Sequence, residues 1–158
     1  MNDPHTPLTI VLVGDHGYET GGLTKVTFDS AIGLKAAGHR PIVFSSAGPV
    51  DERLKTVGVE CVCMDQFGLV DHPSKLAAVI QGVWNGKAMK GLADLLASLP
   101  RDNTIVHVHG WAKATSPAIA RTIRASGFPA VYTMHDYFIF CPTGGFYNYS
   151  SQSVCRLE

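Results

Sequence analysis

The fold is decided near the start of the chain, where residues 8–37 read LTIVLV, then GDHGYETGG, then LTKVTFDSAIGLKAA. The run from Leu8 to Val13 is almost wholly apolar and rich in β-branched side chains, which is typical of a strand buried on both faces of a parallel sheet. We expect a glycine-rich loop over residues 14–22 and a helix from about Leu23 to Ala37, which Gly38 ends. A buried strand, a glycine loop and a helix in that order indicate an α/β fold.

The remaining chain continues the alternation of strands and helices. Further strands are predicted at 41–45, 59–63, 104–108 and 130–134, and helices at 51–57, 74–98 (interrupted at 85–87) and 117–125. Short turns between such elements are typical of βαβ units with right-handed crossovers. The sequence therefore predicts an α/β chain of one domain, residues 1–158, built as a Rossmann-like parallel sheet flanked by helices.

Composition narrows the class of protein. The chain has 158 residues, of which 46% are hydrophobic and 16% charged, as expected of one domain with a packed core. Its 13 Lys and Arg residues balance 13 Asp and Glu residues, so no excess of charge indicates nucleic acid as a partner. No apolar run reaches the ~18 residues of a membrane span, and residues 1–7 lack an export signal. We expect a cytoplasmic protein.

The loop over residues 14–22 has an architecture that binds phosphate, because the first amides and the positive dipole end of the following helix face an anion. Gly21 and Gly22 at the helix start would let a phosphate approach the backbone closely. The glycines lack the G-x-G-x-x-G spacing of dinucleotide-binding proteins, and Ser45 and Ser46 stand where an NAD site needs an acidic residue. A nicotinamide-dependent oxidoreductase or an epimerase is therefore disfavoured, while a flexible turn without a ligand stays an alternative.

Two histidines alternate along the predicted strand 104–108 and its end. Because residues two apart share a face of a strand, His107 and His109 should lie on one side of the sheet. His107 is interior and is predicted to be a hydrogen-bonded core residue, whereas His109 is at the carboxyl end, where α/β sheets bind ligands. With no third ligand in view, we predict no metal site.

The stretch from Val131 to Gly145 reads VYTMHDYFIFCPTGG and runs from a predicted buried strand into an aromatic loop. It places His135 and Asp136 at the end of that strand. Because adjacent residues of an extended chain point apart, each is expected to have a different partner. The aromatic residues of the loop are expected to pack the edge of the domain in part, and beyond that either to stack on sugar rings or to form a lid.

The four cysteines divide into two pairs. Cys61 and Cys63 alternate on a predicted strand and are expected to be buried on one face as small, reduced, apolar side chains. Cys141 and Cys155 lie in the irregular tail, where they would be either half of a metal site with missing ligands or a redox pair. Their role stays open.

With these features in view, the chain resembles the N-terminal domain of a GT-B glycosyltransferase of the family-4 type, the retaining, glycogen-synthase-like enzymes. The resemblance covers most of the chain, and it depends on four segments that occur in the family's order. These segments are TGGL at 20–23, AGHRPIV at 37–43, IVHVHGW at 105–111, and VYTMHDYF at 131–138 followed by CP at 141–142.

The resemblance implies transfer of a sugar from a nucleotide-sugar donor to a glycan or lipid-linked acceptor, with retention of configuration. It implies that Gly21 and Gly22 approach the donor diphosphate. His109 would lie at the transferred sugar and His135 would line the cleft, which makes these two histidines the candidate catalytic residues. The nucleotide-sugar is a substrate, and the resemblance implies no cofactor and no metal.

GT-B enzymes close a cleft between two Rossmann-like domains, of which the second binds most of the nucleotide. A second half is not part of these 158 residues, so we expect a fragment of a longer enzyme whose isolated chain is inactive. The resemblance is compatible with peripheral membrane association of the full-length enzyme and with self-association through the uncovered interdomain face. The alternative is a non-catalytic Rossmann-like module that recruits a partner through its exposed edge.

Overall fold

The computed structural model describes residues 6–141 and 143–155. Strands and helices alternate along this part of the chain. The strands are β1 (Thr9–His16), β2 (Arg40–Ala47), β3 (Glu60–Gln66), β4 (Thr104–Val108), β5 (Ala130–Tyr132), β6 (Tyr147–Asn148) and β7 (Ser153–Val154). The helices are α1 (Gly22–Ala36), α2 (Glu52–Thr56), α3 (Lys75–Val83), α4 (Gly86–Ala97) and α5 (Ile119–Ser126).

Strand β1 is the centre of a five-stranded sheet whose order is β3-β2-β1-β4-β5. Every neighbouring pair in this sheet is parallel. Val13 of β1 lies opposite Phe44 on one side and Val108 on the other. Parallel neighbours require crossover connections, and the crossovers of this chain contain the helices. The predicted Rossmann-like α/β fold of one domain is confirmed.

The alternating side chains of β1 contribute to two core layers, one on each face of the sheet. Val11 belongs to the layer that also contains buried residues of α4 and α5. Leu12 belongs to the opposite layer, which contains buried residues of α1 and α2. Both side chains are 0% exposed, and full burial of such a residue contributes about 1.5–3 kcal/mol. Packing therefore stabilises β1 from both faces.

Strand β1 is longer than predicted. It pairs with β2 beyond Gly14, which lies opposite Ser45, as far as His16, which lies opposite Ala47. The prediction that the loop begins at residue 14 was wrong, because main-chain pairing continues past the point where the apolar side chains end. The extension places Asp15 and His16 on the sheet itself.

The long predicted helical region consists of two helices, α3 and α4. Ser74 caps α3, because its Oγ accepts the N–H of Ala77 at 3.3 Å. Asn85 caps α4, because its Oδ1 accepts the N–H of Ala88 at 3.0 Å. A side-chain oxygen of this kind satisfies one of the free N–H groups at a helix start. The predicted interruption at 85–87 is therefore confirmed as the boundary between two helices.

Helix α3 presents an apolar face to solvent, which we call the α3 stripe. The stripe consists of Leu76, Val79, Ile80 and Val83, which are 59–73% exposed. The buried residue of this helix is instead the polar Gln81. Its Nε2 donates to the carbonyl oxygens of Phe67 at 2.8 Å and Ala114 at 3.1 Å. Hydrogen bonds from Gln81 thus attach α3 to the domain while the α3 stripe stays uncovered.

Over residues 6–141 and 143–155, no helix combines the length and the apolar character needed to cross a membrane.

Strand β5 is a short edge strand. Within the described residues it pairs with β4 alone, over three residues, and Val131 is 53% exposed. The prediction of a buried strand extending to residue 134 was wrong, because an edge strand has a neighbour on one side.

The edge position of β3 likewise leaves Cys61 and Cys63 partly exposed, which corrects the expectation of buried thiols. The tail contains a small antiparallel hairpin of β6 and β7, which the pattern did not predict.

Candidate functional site

The carboxyl ends of β1 and β4 form the centre of the candidate site. These strands are neighbours, and the strand order reverses between them, since β2 and β3 lie on one side and β5 on the other. Ligands of open α/β sheets bind in the crevice at such a reversal. Asp15, His109 and Gly110 lie here, and all three are buried.

Asp15 connects the end of β1 with the loop that follows β4. Its Oδ1 accepts the N–H groups of Ala114 and Thr115, both at 2.8 Å. Thr115 Oγ1 in turn donates to the carbonyl oxygen of Gly14 at 3.0 Å. Asp15 was not among the predicted site residues, because the loop was expected to begin before it. The available signal was a carboxylate directly after a buried parallel strand.

Gly21 and Gly22 lie at the N-terminus of α1, as predicted. Gly21 has a φ of 153°, a conformation that residues with a side chain rarely adopt. Both glycines are exposed, and a Cβ added to either would meet no atom within 4 Å. Thr24 Oγ1 accepts the N–H groups of Thr20 and Gly21, but Gly21 has no side chain to cap the next N–H groups. The helix start therefore offers N–H donors and a positive dipole end to an anion.

The glycine end of α1 is in contact with the end of β4. A Cβ added to Gly110 would lie 3.2 Å from Leu23 Cδ1 and 3.2 Å from Asp15 Oδ2. Gly110 directly follows His109, so the missing side chain lets the first turn of α1 approach this strand end. Leu23, which directly follows the two glycines, therefore lies close to the residue that follows His109.

Three imidazoles form what we call the histidine stack, at the carboxyl ends of β4 and β5. The ring centroids of His107 and His109 are 4.0 Å apart. The rings of His109 and His135 are 5.3 Å apart and within 24° of parallel. His109 Nδ1 lies 3.1 Å from His135 Nε2, and His107 Nε2 lies 2.8 Å from Thr133 Oγ1. The two candidate catalytic histidines are therefore in contact, and His107 has the hydrogen bond expected of it.

His109 is uncharged at neutral pH in this environment. It is 2% exposed, and burial, reinforced by the neighbouring His107 and His135, lowers its pKa from 6.5 to about 4. Burial and then His135 also lower the pKa of His107. His109 Nε2 is buried and has no hydrogen-bond partner among the residues that the structure describes. One nitrogen of this neutral imidazole is thus unused by the described part of the protein.

His135 and Asp136 have different partners, as expected. Asp136 Oδ1 accepts the N–H of Phe138 at 3.2 Å, which turns the chain into the aromatic loop. In that loop the rings of Tyr137 and Phe146 pack with centroids 4.8 Å apart. These two aromatic residues therefore pack on each other and also line a cavity of about 390 Å³ beside His135. The lining residues are Met134, His135, Asp136, Tyr137, Phe140 and Phe146.

His16, at the end of β1, is a second residue that the sequence pattern did not select. Burial lowers its pKa, and its ring packs edge-on against Tyr18 with centroids 5.4 Å apart. A Cβ added to Gly68 would lie 3.3 Å from His16 Nε2 and 3.7 Å from Asp71 Oδ2. The loop over residues 66–73 therefore contacts β1 at the same edge of the sheet.

The tail cysteines are free thiols in different environments. Cys141 is buried, its Sγ accepts the N–H of Phe146 at 3.3 Å, and it lies 3.2 Å from Thr143 Oγ1. The hydrogen bond with Thr143 is the main cause that lowers the pKa of Cys141 to about 7. Cys155 is exposed. In the described part of the chain, no three His, Cys, Asp or Glu side chains are grouped so that they could hold a metal ion.

Comparison with known proteins identifies the family. Residues 21–156 match the family model described as "Glycosyl transferase 4-like domain". Among solved structures, the chain is similar to a glycosyltransferase from Rickettsia africae ESF-5, with a TM-score of 0.55 and 23% identity, covering 82% of this chain and 30% of that one. At this identity the likeness shows the fold alone, and this chain spans about 30% of the length of the matched structure. No curated protein matches the chain.

The family match covers most of the chain, so the predicted resemblance to the N-terminal domain of a family-4 glycosyltransferase is confirmed, and the chain belongs to the glycosyl transferase 4-like domain family.

Proposed function

We propose that this chain is the acceptor-side half of a GT-B enzyme that transfers a sugar from a nucleotide-sugar donor to a glycan or lipid-linked acceptor with retention. Membership of the family supports the glycosyltransferase class. The observation that supports the rest is the close approach of Leu23 to Gly110, where an added Cβ would lie 3.2 Å from Leu23 Cδ1. Leu23 directly follows the two glycines, and Gly110 directly follows the buried His109. The diphosphate and the sugar are adjacent groups of one donor molecule, and two adjacent sites of this chemistry fit them.

In this proposal the leaving diphosphate binds at Gly21 and Gly22. Breaking the bond to the sugar concentrates negative charge on the diphosphate, and preorganised N–H donors stabilise such charge better than a base would. The dipole of α1 adds partial positive charge at the same position. Open space around both glycines supports close approach of a phosphate. The nucleotide-sugar is the substrate, and the proposal requires no metal or cofactor.

His109 is proposed to contact the transferred sugar, and His135 to line the cleft beside it. A retaining transfer on one face of the sugar passes through an oxocarbenium-like state, in which the positions of the ring hydroxyls matter. A neutral, buried imidazole is suited to hydrogen-bond one of these hydroxyls. We therefore assign His109 a positioning and polarising role and not that of a nucleophile.

Titration of the isotopically labelled chain with nucleotide-sugars tests this proposal by NMR. We expect UDP-sugars or GDP-sugars to shift the main-chain amide signals of Gly21 and Gly22 and the side-chain signals of His109, and NAD to leave them unchanged. Because the second domain of GT-B enzymes binds most of the nucleotide, the titration is carried to high ligand concentration. If neither class of nucleotide-sugar then shifts these signals in the folded chain, the donor site is wrong. The alternative, a non-catalytic Rossmann-like interaction module, would then be favoured.

The α3 stripe supports a proposal about partners, namely peripheral membrane association of the full-length enzyme. Exposed Trp84 directly follows the α3 stripe, and exposed Lys75 begins the same helix. Apolar side chains with an aromatic residue and a lysine at the ends are typical of a helix at a lipid surface, where the lysine meets anionic headgroups. Self-association through the uncovered interdomain face is a separate proposal, which analytical ultracentrifugation tests. A cytoplasmic location stays a prediction.

A further inference from the structure

The contact between His109 and His135 contains one hydrogen. Nδ1 of His109 and Nε2 of His135 are 3.1 Å apart, a distance at which one nitrogen carries the hydrogen and the other accepts it. A neutral imidazole has one N–H and one bare nitrogen, so the choice made at Nδ1 of His109 decides the state of its Nε2. The tautomer of His109 therefore determines what this residue offers to a ligand.

Two arrangements are compatible with this distance. If His135 donates, His109 Nε2 carries a hydrogen that is buried without an acceptor. If His109 donates through Nδ1, its Nε2 is a bare acceptor. Nε2 is buried and has no partner among the described residues. In protein main chains, buried N–H groups without an acceptor are rarer than under-satisfied acceptors, and we apply the same order to this imidazole. The second arrangement therefore has the lower cost.

Neighbouring groups hold the His109 ring in its observed orientation. The ring of His107 packs against it at a tilt, with centroids 4.0 Å apart, and is itself hydrogen-bonded to Thr133. A half-turn of the His109 ring would put a carbon in place of Nδ1 and would break the contact with His135. The nearby carboxylate of Asp15 accepts the N–H groups of Ala114 and Thr115 through Oδ1 and has no hydrogen bond with the His109 ring. The contact with His135 is thus the one hydrogen bond that the described residues give the His109 ring.

We propose that His135 is a positioning residue that holds His109 in its Nδ1–H tautomer, so that Nε2 accepts a hydrogen bond from a hydroxyl of the bound sugar. The first half of this statement concerns the protein alone, and the second half rests on the proposed function. A buried acceptor matched to one hydroxyl also provides specificity, because an analogue without that hydroxyl leaves the nitrogen unpaired. The orientation of one histidine by another thus becomes a means of recognising the sugar.

Nitrogen-15 NMR of the histidine side chains tests the first half without any ligand, because protonated and bare imidazole nitrogens resonate in separate regions. At pH 7 we expect a protonated Nδ1 and a bare Nε2 in His109. The opposite pattern would overturn the proposal. His135→Gln retains an acceptor oxygen and is expected to preserve the pattern, whereas His135→Leu is expected to give a mixture of tautomers.

The variants also separate a positioning role from a structural one. If His135→Leu folds and leaves the tautomer of His109 unchanged, His135 does not set it and the proposal fails. His72→Gln, in a loop outside the histidine stack, is the matched control and is expected to alter its own signals alone. Should His135→Leu fail to fold, the pattern of the unaltered chain still decides the assignment.

UDP-glucose and GDP-mannose, each compared with UDP or GDP alone, test the second half. At concentrations that shift the Gly21 amide, we expect the nucleotide-sugars to shift His109 Nε2 and the sugar-free nucleotides to leave it unmoved. A shifted Gly21 amide with an unmoved Nε2 would refute the sugar contact. If no nucleotide-sugar binds at any concentration tested, the proposed function is refuted. The ligand-free spectrum would still show which tautomer His109 adopts.

Discussion

The carboxylate of Asp15 accepts the main-chain N–H of Thr115 at 2.8 Å, which joins residues 100 positions apart in the chain. Ala114 donates to the same oxygen at the same distance, and Asp15 is 3% exposed. The loop that follows His109 and Gly110 is therefore held by a carboxylate from the neighbouring strand. The geometry of the candidate site depends on this link between β1 and the segment after β4.

Replacement of Asp15 should destabilise the domain in proportion to the hydrogen bonds that it loses. Asp15→Ala leaves two N–H groups without their acceptor, at about 1–3 kcal/mol each, so we expect a loss of roughly 2–6 kcal/mol in the free energy of unfolding. Asp15→Asn keeps an acceptor oxygen but loses the charge, and a loss of about 1–2 kcal/mol is expected. Urea unfolding measures both values.

The exposed Asp29, which forms an ion pair with Lys25 on α1, provides the control for this experiment. Asp29→Ala should cost less than about 0.5 kcal/mol. An Asp15→Ala variant as stable as the unaltered chain would show that the two bonds to Ala114 and Thr115 do not hold the loop.

Burial of neutral His109 should make the stability of the domain depend on pH. The unfolded chain protonates this residue near its ordinary pKa of 6.5, whereas the folded chain does so near 4. Between these values the unfolded state binds more protons, so the free energy of unfolding falls as the pH falls. We expect His109 to contribute a loss of about 1–3 kcal/mol across this window.

Urea unfolding at pH 7, 5.5 and 4 measures this loss, and His109→Gln provides the comparison. The variant lacks the titrating group, so its stability should fall less steeply over the window. Parallel curves for the two proteins would contradict the lowered pKa of His109.

A methyl group at position 22 should weaken binding of the donor. Gly22→Ala places a Cβ in space that is open in the protein, at the point where the proposed diphosphate approaches. We expect the Kd for the nucleotide-sugar to rise roughly tenfold, or about 1.4 kcal/mol, without loss of stability. Isothermal titration calorimetry measures it.

Gly33→Ala is the matched control, because Gly33 lies in the same helix and a Cβ there also meets no atom within 4 Å. This substitution should leave Kd unchanged and raise stability slightly. If the Gly22→Ala and Gly33→Ala variants bind the nucleotide-sugar equally tightly, its diphosphate does not bind at the start of α1.

Cys141 should react with alkylating reagents at lower pH than Cys61. The thiolate is the reactive form, and hydrogen bonds lower the pKa of Cys141 to about 7, whereas burial raises that of Cys61 to about 11. Alkylation by iodoacetamide followed by mass spectrometry should therefore show a midpoint near 7 for Cys141. Thr143→Val should raise this midpoint and Thr143→Ser should preserve it. A midpoint unaffected by Thr143→Val would assign the effect to other groups.

The α3 stripe should bind lipid vesicles through its exposed aliphatic side chains. We expect the protein to sediment with vesicles of phosphatidylcholine and phosphatidylglycerol. Ile80→Gln, which removes apolar surface worth about 1–2 kcal/mol, should reduce the bound fraction several-fold. Val26→Gln is the control, since Val26 is 45% exposed on α1. If the protein does not bind vesicles but forms dimers that Ile80→Gln dissociates, the α3 stripe is a protein–protein interface instead.

The sheet was the most predictable part of this molecule. Both ends of the strand Thr104–Val108 were predicted correctly, because its β-branched side chains and the glycine that follows at position 110 mark its limits clearly. The extension of β1 through Asp15 was not predictable from hydropathy, since it depends on main-chain pairing with β2. The exposure of β5 depends on which strands are neighbours, and the pattern of one strand does not contain that information.

The site was predictable as a set of residues but not as a geometry. Strand ends and glycines located Gly21, Gly22, His109 and His135, and family resemblance supplied roles that stay predictions. The distance between His109 and His135 depends on two side-chain rotamers and on strand adjacency, which sequence spacing does not provide. For α3, helical spacing showed an apolar face, but the hydrogen bonds of Gln81 decide which face meets the protein.

The two contacting histidines follow strands that are expected to differ greatly in their resistance to local unfolding. His109 follows β4, which has a paired neighbour on each side, whereas His135 lies beyond the three residues of edge strand β5. We therefore expect the amides of β5 to exchange by local fraying, and those of β4 by more global unfolding. A molecule that covers β5 would then stabilise the position of His135 while it leaves the central strands unchanged.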